Sequence, residues 1–506
     1  MKKTVALFVS LIFIFTIGCD RNLRSLVNET SVANLPPPNT NYSGAGSASG
    51  SVPGYGLGFG HPDNNNEFTY YSGPVFPLSI LYGADGITAS RNISYDFSGF
   101  SATESYSQSD IAITDNYIIS NDTESSIAAK ILYPFAGTFS NLDRFRPSIA
   151  VDGIIMGTEL MAGCYSGGLT GMYGSDIAAA NLSPIKSWEE YVTLLSDGNY
   201  LDRALESADI IDQIVTVYEF RNIWANRGEG VNPTLAADFH LDFDNTTVLA
   251  YCFNGLDADI AEGYMQRFVF VPREWDAGYN RSFLIVFGED IYDLVIQGYK
   301  NGSCSEGEEL EVLADIVRYE TALGDVLMTM LGDFMEFYYS GGVISGEYPR
   351  LRGSIDISLV YKATVDLIRD YGILSDAPAF RYRWDTAMGD LYSTFEDMLM
   401  MERVFYLSTD IVIPAGGSLD LTVDMLKPGS YSNIAAEPDM GIYGYEMLTQ
   451  LGSNLIFESL TAGLTGTNRI EIVRQNFGFD LENRVYDVVL DPNIQRYFIE
   501  VRHQNA

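Results

Sequence analysis

Residues 238–244 carry polar side chains at every second position. The stretch DFHLDFDN alternates them with large apolar residues, and the polar ones are Asp238, His240, Asp242 and Asp244. In a strand these four side chains would share one face at intervals of about 6–7 Å. Carboxylates with one imidazole could bind Ca²⁺ or a transition-metal ion. The alternative is an amphipathic strand with its phenylalanines in the core, because four ligands in a straight line rarely converge on one ion.

The stretch GCYSGG is the nearest approach to a nucleophile motif. It lacks the G-x-S-x-G spacing of hydrolases, because Cys164 stands two residues before Ser166. The available bases are His61, His240 and His503, so a Ser-His-Asp triad would have to use His240. A glycine-rich turn is the alternative. We therefore assign no catalytic residue and no cofactor from the sequence.

The first 19 residues have the organisation of an export signal. Met1-Lys2-Lys3 is a positive start, and residues 4–17 form an apolar stretch shorter than the roughly 20 residues that span a bilayer. At the end of this stretch, Thr16-Ile17-Gly18-Cys19 resembles the lipobox of bacterial lipoproteins. The resemblance implies that Cys19 receives a lipid and becomes the N-terminus of a membrane-anchored, extracytoplasmic protein. Ordinary secretory cleavage and an uncleaved anchor remain open.

The charge balance restricts the partners. The chain has 67 acidic and 30 basic residues, a formal net charge of -37. Such a charge repels nucleic acid and anionic lipid headgroups, so membrane contact is expected only through the N-terminal lipid. Cationic partners or Ca²⁺ remain open, and solubility alone would also explain the charge.

Tyrosine dominates the aromatic residues, with 33 tyrosines, 28 phenylalanines and 4 tryptophans. Aromatic rings with a polar group favour recognition surfaces, which here would take a carbohydrate or protein ligand. Packing in a β-sandwich core is the alternative use of these rings.

Few cysteines are available for disulfides. Beyond Cys19 the chain has Cys164, Cys252 and Cys304, so at most one bridge can form among them. The sequence does not select a pair.

Composition divides the chain into five segments. Residues 19–66 are rich in Pro, Gly, Ser and Asn, and cannot bury enough apolar surface to fold. The segments are a signal peptide at 1–18, a lipid-anchored flexible linker at 19–66, a β-rich segment at 67–182, a helix-rich mixed unit at 183–405, and a β-rich segment at 406–506.

Two stretches near the ends predict strands. In DNYIISNDTESSIAAKILYPF the turn residues 121–124 predict a hairpin. In DIVIPAGGSLDLTVDML, residues 411–413 and 419–423 alternate apolar with polar side chains around the turn at 414–417. Both stretches resemble pieces of immunoglobulin-like bacterial surface domains, and GIYGYEMLTQLGSNLIFESL is similar to uncharacterised secreted proteins of Gram-positive bacteria. The resemblance implies a β-sandwich with strands from both ends.

The middle of the chain favours helices. Ser187 with Glu190, and Ser305 with Glu308, form capping-box patterns ahead of apolar stripes. Helices are predicted at 188–198, 201–224, 306–339, 360–369 and 386–405, and strands at TTVLAYCF, RFVFVP and SFLIVFG.

These patterns predict an α+β fold, in which an immunoglobulin-like β-sandwich is joined by a helix-rich unit. That unit is either inserted into the sandwich or follows it in sequence. The predicted function is that of a membrane-anchored surface lipoprotein acting as a binding or structural module. The alternatives are an exported carboxylate-dependent hydrolase and a solute-binding lipoprotein of a transporter.

Overall fold

The computed structural model describes most of the chain beyond the linker. The described residues are 68–101, 109–164, 185–207, 211–228, 231–272, 281–340, 355–370, 391–432 and 441–504. Cys19, the signal peptide, the linker at 19–66 and Ser166 lie outside these residues. Within them, no helix has the length and apolar character needed to cross a membrane.

The structure is mostly β, with several antiparallel sheets and fewer helices, in keeping with an α+β class rich in β-sandwich. The N-terminal strands are β1 Ser79–Tyr82, β2 Ile87–Asp96, β3 Ile111–Asn121, β4 Ile127–Gly137, β5 Ser148–Val151, β6 Ile154–Ile155 and β7 Glu159–Ala162. The middle strands are β8 Ile214–Ala225, β9 Thr234–His240, β10 Thr246–Tyr251, β11 Gly255–Asp259, β12 Tyr264–Phe270, β13 Arg281–Gly288, β14 Tyr292–Tyr299 and β15 Val312–Ala322.

The C-terminal strands are β16 Arg403–Ile413, β17 Ser418–Lys427, β18 Ser430–Tyr431, β19 Ile442–Leu448, β20 Ile456–Thr465, β21 Ile470–Gln475, β22 Asp487–Val489 and β23 Arg496–His503. The helices are α1 Leu142–Phe145, α2 Trp188–Leu195, α3 Asn199–Leu205, α4 Leu323–Ser340, α5 Ile357–Asp370 and α6 Leu391–Met400.

The chain forms two compact units. The central unit is built from described residues of Asp209–Arg352 and Tyr371–Asp397, and the terminal unit from those of Gly54–Ala208, Gly353–Asp370 and Met398–Ala506. Each unit has its own sheets and its own core.

The described residues of the terminal unit form three sheets. The large sheet has the order β22-β20-β2-β3-β17-β5-β6, the short sheet β18-β19-β23-β21, and the corner sheet β1-β4-β16-β7. Neighbouring strands are antiparallel except β2 with β20. N-terminal strands pair directly with C-terminal strands, as β3 does with β17 and β4 with β16.

The large sheet buries one face. Along β3 the buried residues alternate with exposed or half-buried ones over its whole length, which is the period of a strand covered on one side. Its apolar side chains, including Tyr95 and Ile113, share a core with Tyr445 and Ile499 of the short sheet. The two sheets therefore pack face to face as a sandwich.

The hairpin predicted at residues 115–135 is wrong, although its turn exists. β3 lies in the large sheet and β4 in the corner sheet, so the chain changes sheets at the turn. The side-chain oxygen of Asn121 accepts hydrogen bonds from the amide and the hydroxyl of Thr123. Its amide group donates to Ile413 O and Pro414 O, in the corner where β16 leads to β17. These hydrogen bonds fix the turn between β3 and β4 to the turn between β16 and β17.

A buried ion pair lies where the three sheets of the terminal unit meet. Arg91 of β2 donates to both carboxylate oxygens of Asp115 on β3, at 2.9 Å each, and both side chains are 0% exposed. Arg91 also donates to Leu448 O at the end of β19. The hydroxyl groups of Tyr117 and Tyr133 donate to Asp115 Oδ2.

In the central unit, the residues that the structure describes include two four-stranded sheets. The helix-covered sheet has the order β10-β13-β8-β15, and the aromatic sheet has the order β11-β12-β9-β14. They share a core that includes Phe220 and Leu284 from the first and Phe239 and Met265 from the second. On the other side of the helix-covered sheet, the ring of Tyr251 lies 5.9 Å from that of Phe395 in α6.

Two predicted helices are partly strands. The helix predicted at 201–224 ends at Leu205, and residues 214–225 form β8. The helix predicted at 306–339 begins only at Leu323, after β15. β8 is buried on both faces at its centre, so its run of apolar residues does not show a period of two. β15 pairs with β8 along its length, and this pairing outweighs the local helical spacing.

Other predictions are confirmed. TTVLAYCF, RFVFVP and SFLIVFG coincide with β10, β12 and β13, and the alternation on both sides of Pro414 is that of β16 and β17. α2 and α5 lie where helices are predicted, and the helix predicted at 386–405 is present as the shorter α6. At α2, the Glu190 carboxylate accepts from the amide of Lys186, and Ser187 makes no side-chain cap.

The three described cysteines, Cys164, Cys252 and Cys304, form no disulfide bond with one another. We therefore expect the melting temperature to be the same with and without a reducing agent. Titration of the unfolded protein with a thiol reagent should find these three sulfurs reactive without prior reduction. A stabilising disulfide, seen as a melting temperature that falls on reduction, would contradict this structure.

Candidate functional site

The four residues predicted as metal ligands fall in two places. Asp238 and His240 lie on β9, whose alternate residues Leu235, Ala237 and Phe239 point into the core of the central unit. The two polar side chains therefore lie on the outer face of the aromatic sheet.

Asp242 and Asp244 lie beyond the end of β9, in a turn. Asp242 Oδ1 accepts from the amide of Asp244 at 2.9 Å, and its Oδ2 accepts from Asn245 Nδ2 at 2.7 Å. The Asn245 side chain first, and then the backbone amides, lower the pKa of Asp242. These carboxylate contacts belong to the turn. Among the described residues, no group of three or more His, Cys, Asp or Glu side chains is placed to hold a metal ion.

The outer face of the aromatic sheet carries a row of rings across three neighbouring strands. His240 of β9 is in register with Tyr264 of β12 on one side and with Tyr292 of β14 on the other. The His240 ring lies 5.6 Å from that of Tyr292, at 21°, and 5.8 Å from that of Tyr264, at 65°. Tyr292 is 53% exposed, so this row is open to solvent at β14.

A second row holds a carboxylate in a fixed orientation. Asp238 is in register with Gln266 of β12. Asp238 Oδ1 accepts from Tyr264 Oη at 2.5 Å and from Gln266 Nε2 at 2.7 Å. Burial, followed by the hydrogen bond and charge of Asp238, raises the pKa of Tyr264, so this hydroxyl keeps its proton and acts as a donor.

The second oxygen of Asp238 has no protein partner in the described part of the chain. Two donors fix the carboxylate from one side, and Oδ2 is left as an oriented acceptor. We call Asp238, His240, Tyr264, Gln266 and Tyr292 the aromatic face.

Two phenylalanines continue this surface along β12. The Phe268 ring packs so closely on Gly255 that a Cβ there would lie 2.1 Å from the ring, and Phe270 packs on Gly302. The rings of Phe268 and Phe270 are 5.9 Å apart at 82°. Glycine is therefore required at 255 for the edge strand to approach the ring.

The whole chain gives no match to a known protein family, to a curated protein or to a solved structure. Since a fold can host many activities, function is inferred from the side chains of the site.

A carboxylate cluster in the central unit bears on the hydrolase alternative. Glu219 of β8 is held by Arg221 and Arg281, with Nε to Oε1 distances of 2.6 Å from each. Burial raises the pKa of Glu219, but these two arginines outweigh burial and lower it. Burial, then the charges of Glu336 and Glu219, raise the pKa of Asp333 to about 7.

Opposite pKa shifts in neighbouring carboxyl groups are typical of an acid and base pair. Here the Glu219 side chain is only 1% exposed and both its oxygens are bonded to arginines. A substrate would have to displace those arginines to reach the carboxylate. The cluster therefore joins α4 to the sheet through Arg281, whose Nη1 lies 3.3 Å from Asp333 Oδ2.

A small cavity in the terminal unit contains two ionisable groups, Glu402 and Lys427. It has about 20 Å³ of space for the centres of water molecules, enough for about one water. Burial raises the pKa of Glu402 to about 7 and lowers that of Lys427 to about 8, and the attraction between the two opposes both shifts. Lys427 Nζ donates to Ser72 O at 2.6 Å. The cavity is too small for a drug-sized or sugar ligand.

The sequence singled out Asp238 and His240 only as metal-ligand candidates, and it did not single out Tyr264, Gln266 or Tyr292. Tyr264 and Gln266 belong to YMQRFVF, whose residues alternate between half-buried and buried in β12. That alternation was a signal for which side chains face outward. The register that brings Tyr292 beside His240 has no local signal.

Proposed function

We propose that this chain is an exported, lipid-anchored binding protein, and that the aromatic face of its central unit binds the ligand. The observation that supports this most is the row of three rings beside an oriented carboxylate, on the face of the sheet opposite the core, where Tyr292 is 53% exposed and the other members are half-buried. Rings that keep a polar group are favoured at recognition surfaces because they give large contact areas at a low entropic cost.

The tether suits this role. A lipid on Cys19 would hold the chain at a membrane surface, and two or more acyl chains are needed for stable anchoring. The linker at 19–66 would then give a reach of about 40 Å for 48 flexible residues. A binding unit on such a linker could reach ligands within this distance of the membrane.

Replacement of the tethering residue tests the localisation. With Cys19→Ala in the native host, we expect the protein to move from the membrane fraction to the soluble or secreted fraction, because no other part of the chain is proposed to hold it there. Cys252→Ala is the matched control and should remain with the membrane. If both variants fractionate like the original chain, or if Met1 is still present in the mature protein, the lipid-anchor proposal is refuted.

The terminal unit, in this proposal, is an immunoglobulin-like domain. Support comes from its facing sheets, its antiparallel pairing at all strand neighbours but β2 and β20, and the contribution of N-terminal and C-terminal strands to one large sheet. An experimental structure would test this: superposition on an immunoglobulin-like domain is expected, and a sandwich of another topology would reject this part of the proposal.

A further inference from the structure

We infer that the ligand of the aromatic face is a neutral carbohydrate polymer. This inference rests on the proposed function and adds the chemical class of the ligand.

The first reason is the shape of the ring row. Sugar rings present flat arrays of C–H groups, and these pack on the faces of aromatic side chains. Neighbouring strands are about 4.8 Å apart, so the rings of Tyr264, His240 and Tyr292 extend over about 10 Å across the sheet. An extended polymer could contact them one after another, with the 53% exposed Tyr292 at the open end.

The second reason is the arrangement of hydrogen-bonding groups. A sugar hydroxyl both donates and accepts, and its recognition needs partners of fixed orientation. Asp238 Oδ2 offers an acceptor whose orientation is fixed by the bonds from Tyr264 and Gln266 to Oδ1. An oriented, pre-organised group loses little entropy when it binds.

The third reason is charge. The row that contains Asp238 ends at Asp257 on β11, and the row of rings ends at Asp259, whereas neither row contains a lysine or arginine. With a net charge of -37 on the whole chain, an anionic polymer such as a uronate or a phosphate-bearing glycan would be repelled. A neutral polymer avoids this repulsion.

Binding of the full-length protein to insoluble polysaccharides tests the inference. The probes are cellulose, chitin, xylan and mannan as neutral polymers, with polygalacturonate as the anionic comparison. We expect binding to at least one neutral polymer and none to polygalacturonate. Tyr292→Ala should weaken binding by about tenfold or more, as expected when the most exposed ring of the row is lost. Tyr292→Phe, which keeps the ring, should retain most of it.

Two further variants distinguish binding at the aromatic face from binding elsewhere on the central unit. Asp238→Asn should also weaken binding, because it replaces the oriented acceptor. Trp224→Ala is the matched control, since Trp224 is 57% exposed but lies in the helix-covered sheet. It should bind as the original protein does. Melting curves of all variants check that each is folded.

Three outcomes would overturn the inference: no binding to any neutral polymer, binding that folded Tyr292→Ala and Asp238→Asn leave unchanged, or preferential binding of polygalacturonate. Capture of a basic protein instead of the polysaccharides, lost in Tyr292→Ala, would overturn the carbohydrate assignment and leave the proposed binding function standing. Failure of the lipid-anchor part of the proposed function would be seen separately, in the fractionation of Cys19→Ala.

Discussion

Replacing Asp115 with alanine is expected to lower the free energy of unfolding of the terminal unit by about 3–5 kcal/mol, because it leaves the Arg91 guanidinium buried without its counter-charge. Arg91 and Asp115 have fully buried side chains, so water cannot take the place of the carboxylate. The change also removes the acceptor of the Tyr117 and Tyr133 hydroxyls. Denaturant unfolding followed by near-ultraviolet circular dichroism measures the loss.

The matched control is Lys130→Ala. Lys130 on β4 pairs with Glu159 at 3.1 Å, but their side chains are 24% and 64% exposed. Exposed pairs contribute about 0–1 kcal/mol, so this variant should unfold almost as the original protein does. If Asp115→Ala and Lys130→Ala lower the free energy of unfolding equally, the buried pair of Arg91 and Asp115 does not stabilise the unit more than an exposed pair does.

The second large effect is an unusual dependence of stability on pH. The terminal unit should be less stable near pH 7–8 than at either pH 5 or pH 9.5. The cause is the pair of groups at the small cavity, Glu402 with a pKa raised to about 7 and Lys427 with a pKa lowered to about 8. Burial makes the charged form of each side chain unfavourable in the folded state.

The sign of each contribution follows from proton binding. Between pH 4.5 and 7 folded Glu402 holds a proton that the unfolded chain has lost, so stability falls as the pH rises, by up to about 3 kcal/mol. Between about pH 8 and 10.5 unfolded Lys427 holds a proton that the folded state has lost, so stability rises with pH. Buried tyrosines with raised pKa values, such as Tyr117, oppose that rise above pH 10.

Variants at the cavity separate these groups from the effect of the overall charge. Glu402→Gln should flatten the fall between pH 4.5 and 7, and Lys427→Met should flatten the rise above pH 8. Both variants keep the net charge of the chain strongly negative. Melting temperatures across pH 4.5–10 supply the test, and an unchanged acid limb in Glu402→Gln would assign that limb to the general charge of -37 instead.

Much of the terminal unit was predictable from periodicity. β17 alternates buried and exposed residues because one side of the large sheet is core, and the sequence from 419 to 423 shows that pattern directly. The turn at Asn121 was also readable, since asparagine bonds its own backbone. The sheet change at this turn depends on Ile413 and Pro414, nearly 300 residues away, and no local pattern contains that contact.

The central unit was harder to predict, because some strands are buried on both faces and because its aromatic face depends on strand register. Val217 and Glu219 face one way along β8, Tyr218 and Phe220 face the other, and all four are buried. A continuous buried run has the same composition as a buried helix. The aromatic face depends likewise on register, because Tyr292 lies 52 positions beyond His240 and meets it only through the pairing of β14 with β9.

Hydrogen–deuterium exchange of the full-length protein, with and without the neutral polysaccharide that it binds, tests the aromatic face most directly. The expected result is slower exchange in β9, β12 and β14, with the terminal unit unchanged. Slower exchange confined to the terminal unit, or to the helix-covered sheet, would contradict the assignment of the ligand to the face formed by Asp238, His240, Tyr264, Gln266 and Tyr292.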